Sequence, residues 1–416
     1  MINPFFHSLL SLTNEVRDVT EVGESLAYTW FGRPNYAYSE EAQKYWIGST
    51  KDIAEGTTQH ITEYDITEDT YTTTRVGTVF EKDDHNQVQI VIRSSDKRLL
   101  VFYSEHVGNS LRYRISTNPL DSSSFGEEKL VPGGDAYKFS YPSPYQASNG
   151  DIFVFWRFTP PSIEEEWYYA KSTDGGETWN TSVKLYATGY RAYLVSSQDG
   201  DKIHFFGNNG HPEINNDLNI NCYHFSFDLT TETAYNSVGT SIALPVTPPF
   251  ATQVNSAVRN DTSWILDVTT KNNLPRVLFV FYPQGRANDF LTKELWLSVF
   301  NGTEWINTLI TTTLSGYIED DASVQESAYP GASRFDSTNP DIIFMPKEVN
   351  GILEIFKVDI SVSPIYFEQL TFDSEVHNWR PISVPSPVNN LLWLKNNDYN
   401  MWNDYDISLQ TKTVQV

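Results

Sequence analysis

The chain has 416 residues, of which 29 are Lys or Arg and 53 are Asp or Glu, for a formal charge of −24. That balance argues against nucleic acid or an anionic membrane as partner, because neither is held by counterion release from an acidic surface. Cys222 is the only cysteine, which excludes an intrachain disulfide, and no run of about 18 apolar residues is present to cross a membrane as a helix. Aromatic residues make up 14 % of the chain, and such rings fill flat sheet interfaces and line sugar-binding clefts.

Met1–Leu12 carries the apolar pairs Phe5–Phe6 and Leu9–Leu10 but no basic n-region or small-residue cleavage site, so it is not read as a signal peptide. Residues 1–28 are a candidate extension that closes the last repeat. A hairpin is expected to begin near Pro34. Val88–Arg93 reads as a strand that turns at Ser94–Lys97 and returns as Arg98–Ser104. The same pattern follows in Tyr141–Ala147 with Asp151–Arg157, in Tyr193–Ser197 with Lys202–Phe206, and near Ser263, Tyr329 and Pro381. These are about seven units of roughly 50 to 70 residues, the size of a four-stranded propeller blade. The predicted fold is therefore all-β, a seven-bladed β-propeller forming one domain over residues 1–416, with six and eight blades as the neighbouring counts. Ser172-Thr-Asp174-Gly-Gly176-Glu-Thr-Trp179 fits the Asp-box pattern, in which Asp and Gly shape a tight turn and Trp packs between strands. That turn is structural and is expected at the periphery.

The hairpin repeat has a geometric consequence. In an antiparallel hairpin the start of the first strand lies beside the end of the second, and in a propeller these ends gather at one mouth of the central channel. His85 precedes one outgoing strand and His106 follows its return; Tyr141 begins the next hairpin and Arg157 ends it. These four are the candidate catalytic residues. They suit β-elimination from a uronate, which needs the carboxylate neutralised, the C5 proton removed and the O4 leaving group assisted. Arg can pair with the carboxylate, while His and Tyr can move protons. A glycosidase would instead need two close carboxylates. An anionic substrate on an acidic protein requires local cations, for which Arg33, Lys138 and Arg191 are candidates. Asn86 and Tyr193 complete the candidate substrate-binding set.

Trp30-Phe31-Gly32-x-Pro34, Asp84-His85-Asn86, Tyr103-Ser104-x-His106, Arg112-Tyr113-Arg114-x-Ser116, Tyr141-Pro142-x-Pro144, the Asp box and Gly210-His211-Pro212 resemble, in that order, the BNR-repeat ulvan lyases. Those are seven-bladed propellers that cleave ulvan, a sulfated rhamnose–uronate polysaccharide. The family's catalytic set is two His followed by a Tyr and an Arg; here His85 and His106 lie 21 residues apart, and Tyr141 and Arg157 lie 16 apart. The resemblance implies that Arg157, with His106, neutralises the carboxylate, and that His85 and Tyr141 share the acid and base roles. It also implies action outside the cell on an anionic polysaccharide.

Cys222 and His224, two apart on a predicted strand, should share one sheet face. With His211 and His377 they would offer three N and one S ligands, a full tetrahedral shell suited to structural Zn²⁺. The resemblance also implies a structural zinc; no organic cofactor is expected. Two other functions fit the fold. One is a non-catalytic propeller that binds glycan or builds a particle such as a phage's. The other is a sialidase-like hydrolase, which would need an arginine triad and a Tyr–Glu nucleophile pair.

Overall fold

The computed structural model describes residues 19–29, 31–132, 138–159, 165–211, 219–255, 262–283, 293–312 and 332–416. The hairpin start expected near Tyr329, the N-terminal patch Met1–Leu12, and Trp30 and Pro212 of the quoted motifs lie outside these residues. Seven antiparallel sheets follow one another along the chain, each beginning at its innermost strand. They are the blades of a seven-bladed β-propeller.

The strand pattern is set by burial. Second strands, enclosed between neighbours, are buried on both faces and read as nearly continuous apolar or aromatic runs, as in Ile152–Thr159. Outer strands such as Thr70–Phe80 alternate or face water. Aromatic rings fill the wedges between blades: Phe155 of the third sheet meets Phe205 and Phe227 of the fourth at 5.1 and 5.9 Å. The N-terminal strand Thr20–Glu24 pairs with Asp404–Lys412 as the outer strand of the last sheet, which joins the two ends of the ring.

The hairpins lie close to their expected bounds, with Val88–Ile92 paired to Arg98–Tyr103 and Lys138–Gln146 paired to Ile152–Thr159. The Asp-box turn joins the outer strands Glu166–Ser172 and Val183–Tyr186. Asp174 accepts from the backbone of Glu177 and Thr178, and Gly176 donates to Ser172 Oγ. Trp179 packs edge-on against Phe102 and Tyr113 of the preceding blade, so the turn fastens two blades far from the channel.

One irregularity matters for the site. Ser140 pairs with Arg157 and Ser143 with Phe155, so the inner strand of the third blade carries one extra residue. Tyr141 sits in that bulge with φ of 56°. A left-handed tyrosine is strained, and a bulge re-aims the side chain that follows the kink. The last blade repeats the device: Trp379 pairs with Leu394 and Ile382 with Leu392, with Arg380 at φ 49° between them.

Candidate active site

The segment Asp83–Asn86 leads into the inner strand Val88–Ile92, and His106 follows the returning strand Arg98–Tyr103. The two imidazoles stack with centroids 4.4 Å apart and planes 12° from parallel. A single carboxylate holds both: Asp83 Oδ1 lies 2.6 Å from His85 Nδ1, and Asp83 Oδ2 lies 2.8 Å from His106 Nδ1. Asp84 Oδ1 lies 2.8 Å from His85 Nδ1 on the other side. With both Nδ1 atoms turned toward Asp83, the two Nε2 edges point away from it together. His106 Nε2 lies 3.4 Å from the Tyr141 hydroxyl and 3.3 Å from Arg157 Nη2.

The cluster brings together the four residues expected from the hairpin ends, His85, His106, Tyr141 and Arg157. The Arg157 guanidinium sits 4.6 Å from the ring centroids of both Tyr141 and Tyr193. Its Nη1 lies 2.9 Å from Glu165 Oε2, while Glu165 Oε1 lies 3.1 Å from Arg191 Nε. At 1 % exposure Arg157 forms the floor, whereas Arg191, at 34 %, is the open cation of the pair. Trp402 of the last blade stands edge-on to both histidines at 6.3 and 6.2 Å.

Electrostatics divide the two histidines. Burial opposes charge on His85, but Asp83 and Asp84 outweigh it and raise its pKa well above the usual histidine value. Burial also opposes charge on His106, and here it wins: Asp83 helps, but His85 and Arg157 repel a second proton, so its pKa is lowered. His85 therefore rests as an imidazolium and His106 as a neutral ring. His106 keeps its proton on Nδ1 toward Asp83 and offers the Nε2 lone pair to Tyr141 and Arg157. Burial, then Tyr193, pushes the Tyr141 hydroxyl well up against the pull of Arg157, so it stays protonated. Asp83, despite burial, is held far below the carboxylate range by His85 and His106.

The substrate-binding candidates separate. Tyr193 and Arg191 belong to the cluster, and Lys138 is exposed at the start of the strand that carries Tyr141. Asn86 is fully buried; its Oδ1 accepts from the His106 backbone at 2.6 Å and its Nδ2 donates to Thr57 Oγ1 and Glu81 O. It fixes the position of His106 and has no face left for a sugar. Arg33 is buried against Asp267 at 2.6 Å, where the inner strands end at the opposite mouth. The short-range pattern could not tell which end of the channel a buried arginine serves.

The expected metal quartet is not assembled. Cys222 Sγ donates to Ser263 Oγ of the next blade, and burial pushes the thiol up to about 12. His224 lies 3.0 Å from His204 Nδ1 and 2.9 Å from Ser237 Oγ. His211 packs against Trp264 and Tyr193, and His377 Nδ1 accepts from Leu353 N. The strand period does put Cys222 and His224 on one face, but each ring or thiol is drawn to a different neighbour, and His377 hangs from the last blade rather than the fourth. Among the described residues the group with ligand atoms close enough to share a metal is Asp83, His85 and His106. Its Nδ1 atoms are already committed to Asp83, and Arg157 beside His106 repels a dication, so the set fits a hydrogen-bonded proton relay better than a metal centre.

Asp83, Asp84, Glu165 and Trp402 were not among the sequence candidates. The acidic pair just before His85 is a local signal; Glu165 and Trp402 reach the site from elsewhere in the chain and leave no trace in the spacing.

Comparison with known proteins gives a consistent picture. The sequence model for the BNR repeat-containing family matches residues 34–311. An ulvan lyase of Alteromonas sp. (strain LOR) is 24 % identical over 223 residues, which are 45 % of this chain and 44 % of the relative; the match thus spans less than half of that protein. Among solved structures, a PL25 polysaccharide lyase, an ulvan lyase bound to -[GlcA(1-4)Rha3S]-, superposes with a TM-score of 0.69 at 15 % identity, over 94 % of this chain and 93 % of its own. The polysaccharide lyase Uly1 gives 0.61 at 13 % identity, over 96 % of this chain and 100 % of its own. At these identities the structural likeness concerns the fold.

Proposed function

The chain belongs to the BNR repeat-containing family, and we propose that its cleft cleaves a uronate-containing polysaccharide, ulvan-like and sulfated, by β-elimination. The observation that carries this reading is the pair of stacked histidines on one carboxylate beside Tyr141 and Arg157. The likeness to an ulvan lyase and to PL25 lyases supports the same chemistry.

Elimination removes a proton from C5 and expels O4 from the adjacent carbon. Two parallel rings presenting Nε2 edges to one side match two reacting atoms on neighbouring carbons. His106, neutral, takes the C5 proton on Nε2, either directly in place of its contact with Arg157 or through the Tyr141 hydroxyl. The electron pair of the C5–H bond forms the C4–C5 double bond as the C4–O4 bond breaks. His85, an imidazolium in the resting state, delivers its Nε2 proton to the departing O4. The positive field of Arg157 and His85 stabilises the negative charge that develops at C5, next to the carboxylate, in the transition state, while Arg191 and Lys138 offer exposed cations to the anionic chain. Asp83 keeps neutral His106 in the required tautomer, as the buried Asp does in Ser-His-Asp hydrolases, and pairs with the charge on His85.

A hydrolase reading finds no acid–base carboxylate pair among the described residues of the cluster: Asp83, Asp84 and Glu165 are each held by His or Arg. Zinc is not required by this reading, and a zinc at His211, Cys222, His224 and His377 would need those groups to move together. The test is incubation with ulvan and other uronate polymers, followed by ultraviolet absorbance of the conjugated double bond and by product mass. Unsaturated uronate supports the lyase; binding without any product would favour a glycan-binding propeller.

A further inference from the structure

At the mouth of the channel opposite the catalytic cluster, the inner strands enclose a cavity of about 450 Å³. It is lined by residues such as Gln198 and Thr270, which lie at the turn ends of the inner strands Leu194–Asp199 and Thr262–Lys271, whereas Tyr141 lies near the start of its own inner strand. Four charged groups line the cavity: Arg33, Asp267, Arg334 and Asp336. Three are saturated. Asp267 Oδ1 takes Arg33 Nη1 at 2.6 Å and the backbone of Val268 at 2.8 Å, and its Oδ2 takes the backbone of Phe335 at 2.9 Å. Arg33 Nη2 donates to Leu266 O. Asp336 Oδ2 accepts from Ser383, and its Oδ1 accepts from Thr338 and the Asn339 backbone.

Arg334 is the exception. It is 6 % exposed. Its Nη2 is buried without a hydrogen-bond partner, and no carboxylate forms an ion pair with it among the described residues. Burial, and then the charge of Arg33, disfavour the cation, against a weaker pull from Asp267, whose oxygens are engaged elsewhere. A guanidinium does not give up its proton in proteins, so the charge remains and is costly to bury alone. A cavity that holds a lone guanidinium, with the nearby carboxylates already engaged, is complementary to an anion that can accept its paired N–H donors.

We propose that this cavity binds a small oxyanion on Arg334, either inorganic sulfate or the carboxylate of a free uronate, at a site separate from the catalytic cleft. A planar guanidinium pairs best with an acceptor that has two oxygens, which both offer. Such a ligand binds the native state alone and stabilises the propeller.

The test uses the full chain in low-salt buffer. Equilibrium dialysis with labelled sulfate and calorimetric titration with glucuronate distinguish the two sources. One saturable site is expected for at least one of them, together with a rise in melting temperature as the anion is added. Arg334→Met should weaken that binding by about tenfold or more, the loss expected for a hydrogen-bonded charge, and leave the lyase rate unchanged. It should melt no lower than the parent without anion, because it removes an unpaired buried charge. Arg334→Lys, which keeps charge but not the fork, should bind more weakly than the parent and serves if the Met variant does not fold. Arg157→Ala should bind as the parent does. The proposal is overturned if neither anion binds saturably, if Arg334→Met binds like the parent, or if binding disappears in Arg157→Ala instead.

Discussion

The two mouths of the channel bury cations in opposite ways. At the catalytic mouth each buried cation has a carboxylate: His85 on Asp83 and Asp84, Arg157 on Glu165, and Arg380 on Asp84 at 2.6 Å. At the other mouth Arg33 has Asp267, but Arg334 has no carboxylate among the described residues. Both mouths lie beside bulged inner strands, at Tyr141 and between Ile265 and Asp267. The comparison teaches that a bulged inner strand positions a side chain, while the distribution of counter-charges decides what it can do. A saturated set can hold one proton on one histidine and none on its neighbour; an unsaturated one can hold a ligand.

The comparison breaks most visibly if proton transfer does not depend on the saturated cluster. His106→Ala and Tyr141→Phe should each lower kcat by on the order of 10²–10⁴, the cost of losing a positioned acid or base, as measured by unsaturated product per enzyme with folding checked by circular dichroism. Parent-like rates in both would remove the assignment.

Asp83→Asn tests whether counter-charge, rather than the rings alone, sets the roles. Losing an orienting partner of a histidine costs about 10- to 100-fold where it has been measured at metal sites, and a loss of that size is expected here in kcat. The pH profile sharpens the point. The proposed mechanism requires His106 neutral and His85 protonated. It should rise as pH climbs through the lowered His106 value and fall only as pH passes the raised His85 value, giving a plateau that spans the ordinary histidine range. In Asp83→Asn the upper limb should move down, because a neutral amide no longer holds the proton on His85. Stability follows the same charges with the sign of each shift. The raised His85 contributes at low pH and is lost as pH rises through its folded value; the lowered Asp83 contributes above the usual carboxylate range and is lost as pH falls through its own.

A smaller effect is expected from Asn86→Ala. It leaves the buried His106 backbone N–H without its acceptor, at a cost of roughly 1–3 kcal/mol in stability, and should lower kcat through His106 rather than raise KM. Equilibrium denaturation and steady-state kinetics check both. Smallest is Asp174→Ala in the Asp box, far from either mouth: kcat should not change, and stability should fall by at most about 1–2 kcal/mol as the turn loses its hydrogen bonds.

Much of this was legible before any coordinates. Alternation and turn residues located the hairpins, and the pairing of hairpin ends was enough to bring His85, His106, Tyr141 and Arg157 together, because antiparallel geometry fixes that proximity. What strand period cannot express is which of two buried neighbours a side chain chooses. Cys222 and His224 share a face but turn to Ser263 and His204, and Arg33 turns to Asp267 at the far mouth. Glu165 and Trp402 come from a different strand end and a different blade, and nothing in their local sequence marks them. The bulge that turns Tyr141 needs one extra residue relative to its partner strand, a property of two strands together.

The most direct measurement is the mass and absorbance of the product formed from ulvan by the purified chain. The account predicts fragments ending in an unsaturated uronate, absorbing in the ultraviolet and lacking the mass of an added water, and it predicts that Tyr141→Phe and His106→Ala suppress them. Fragments that carry an added water and no ultraviolet absorbance would contradict it.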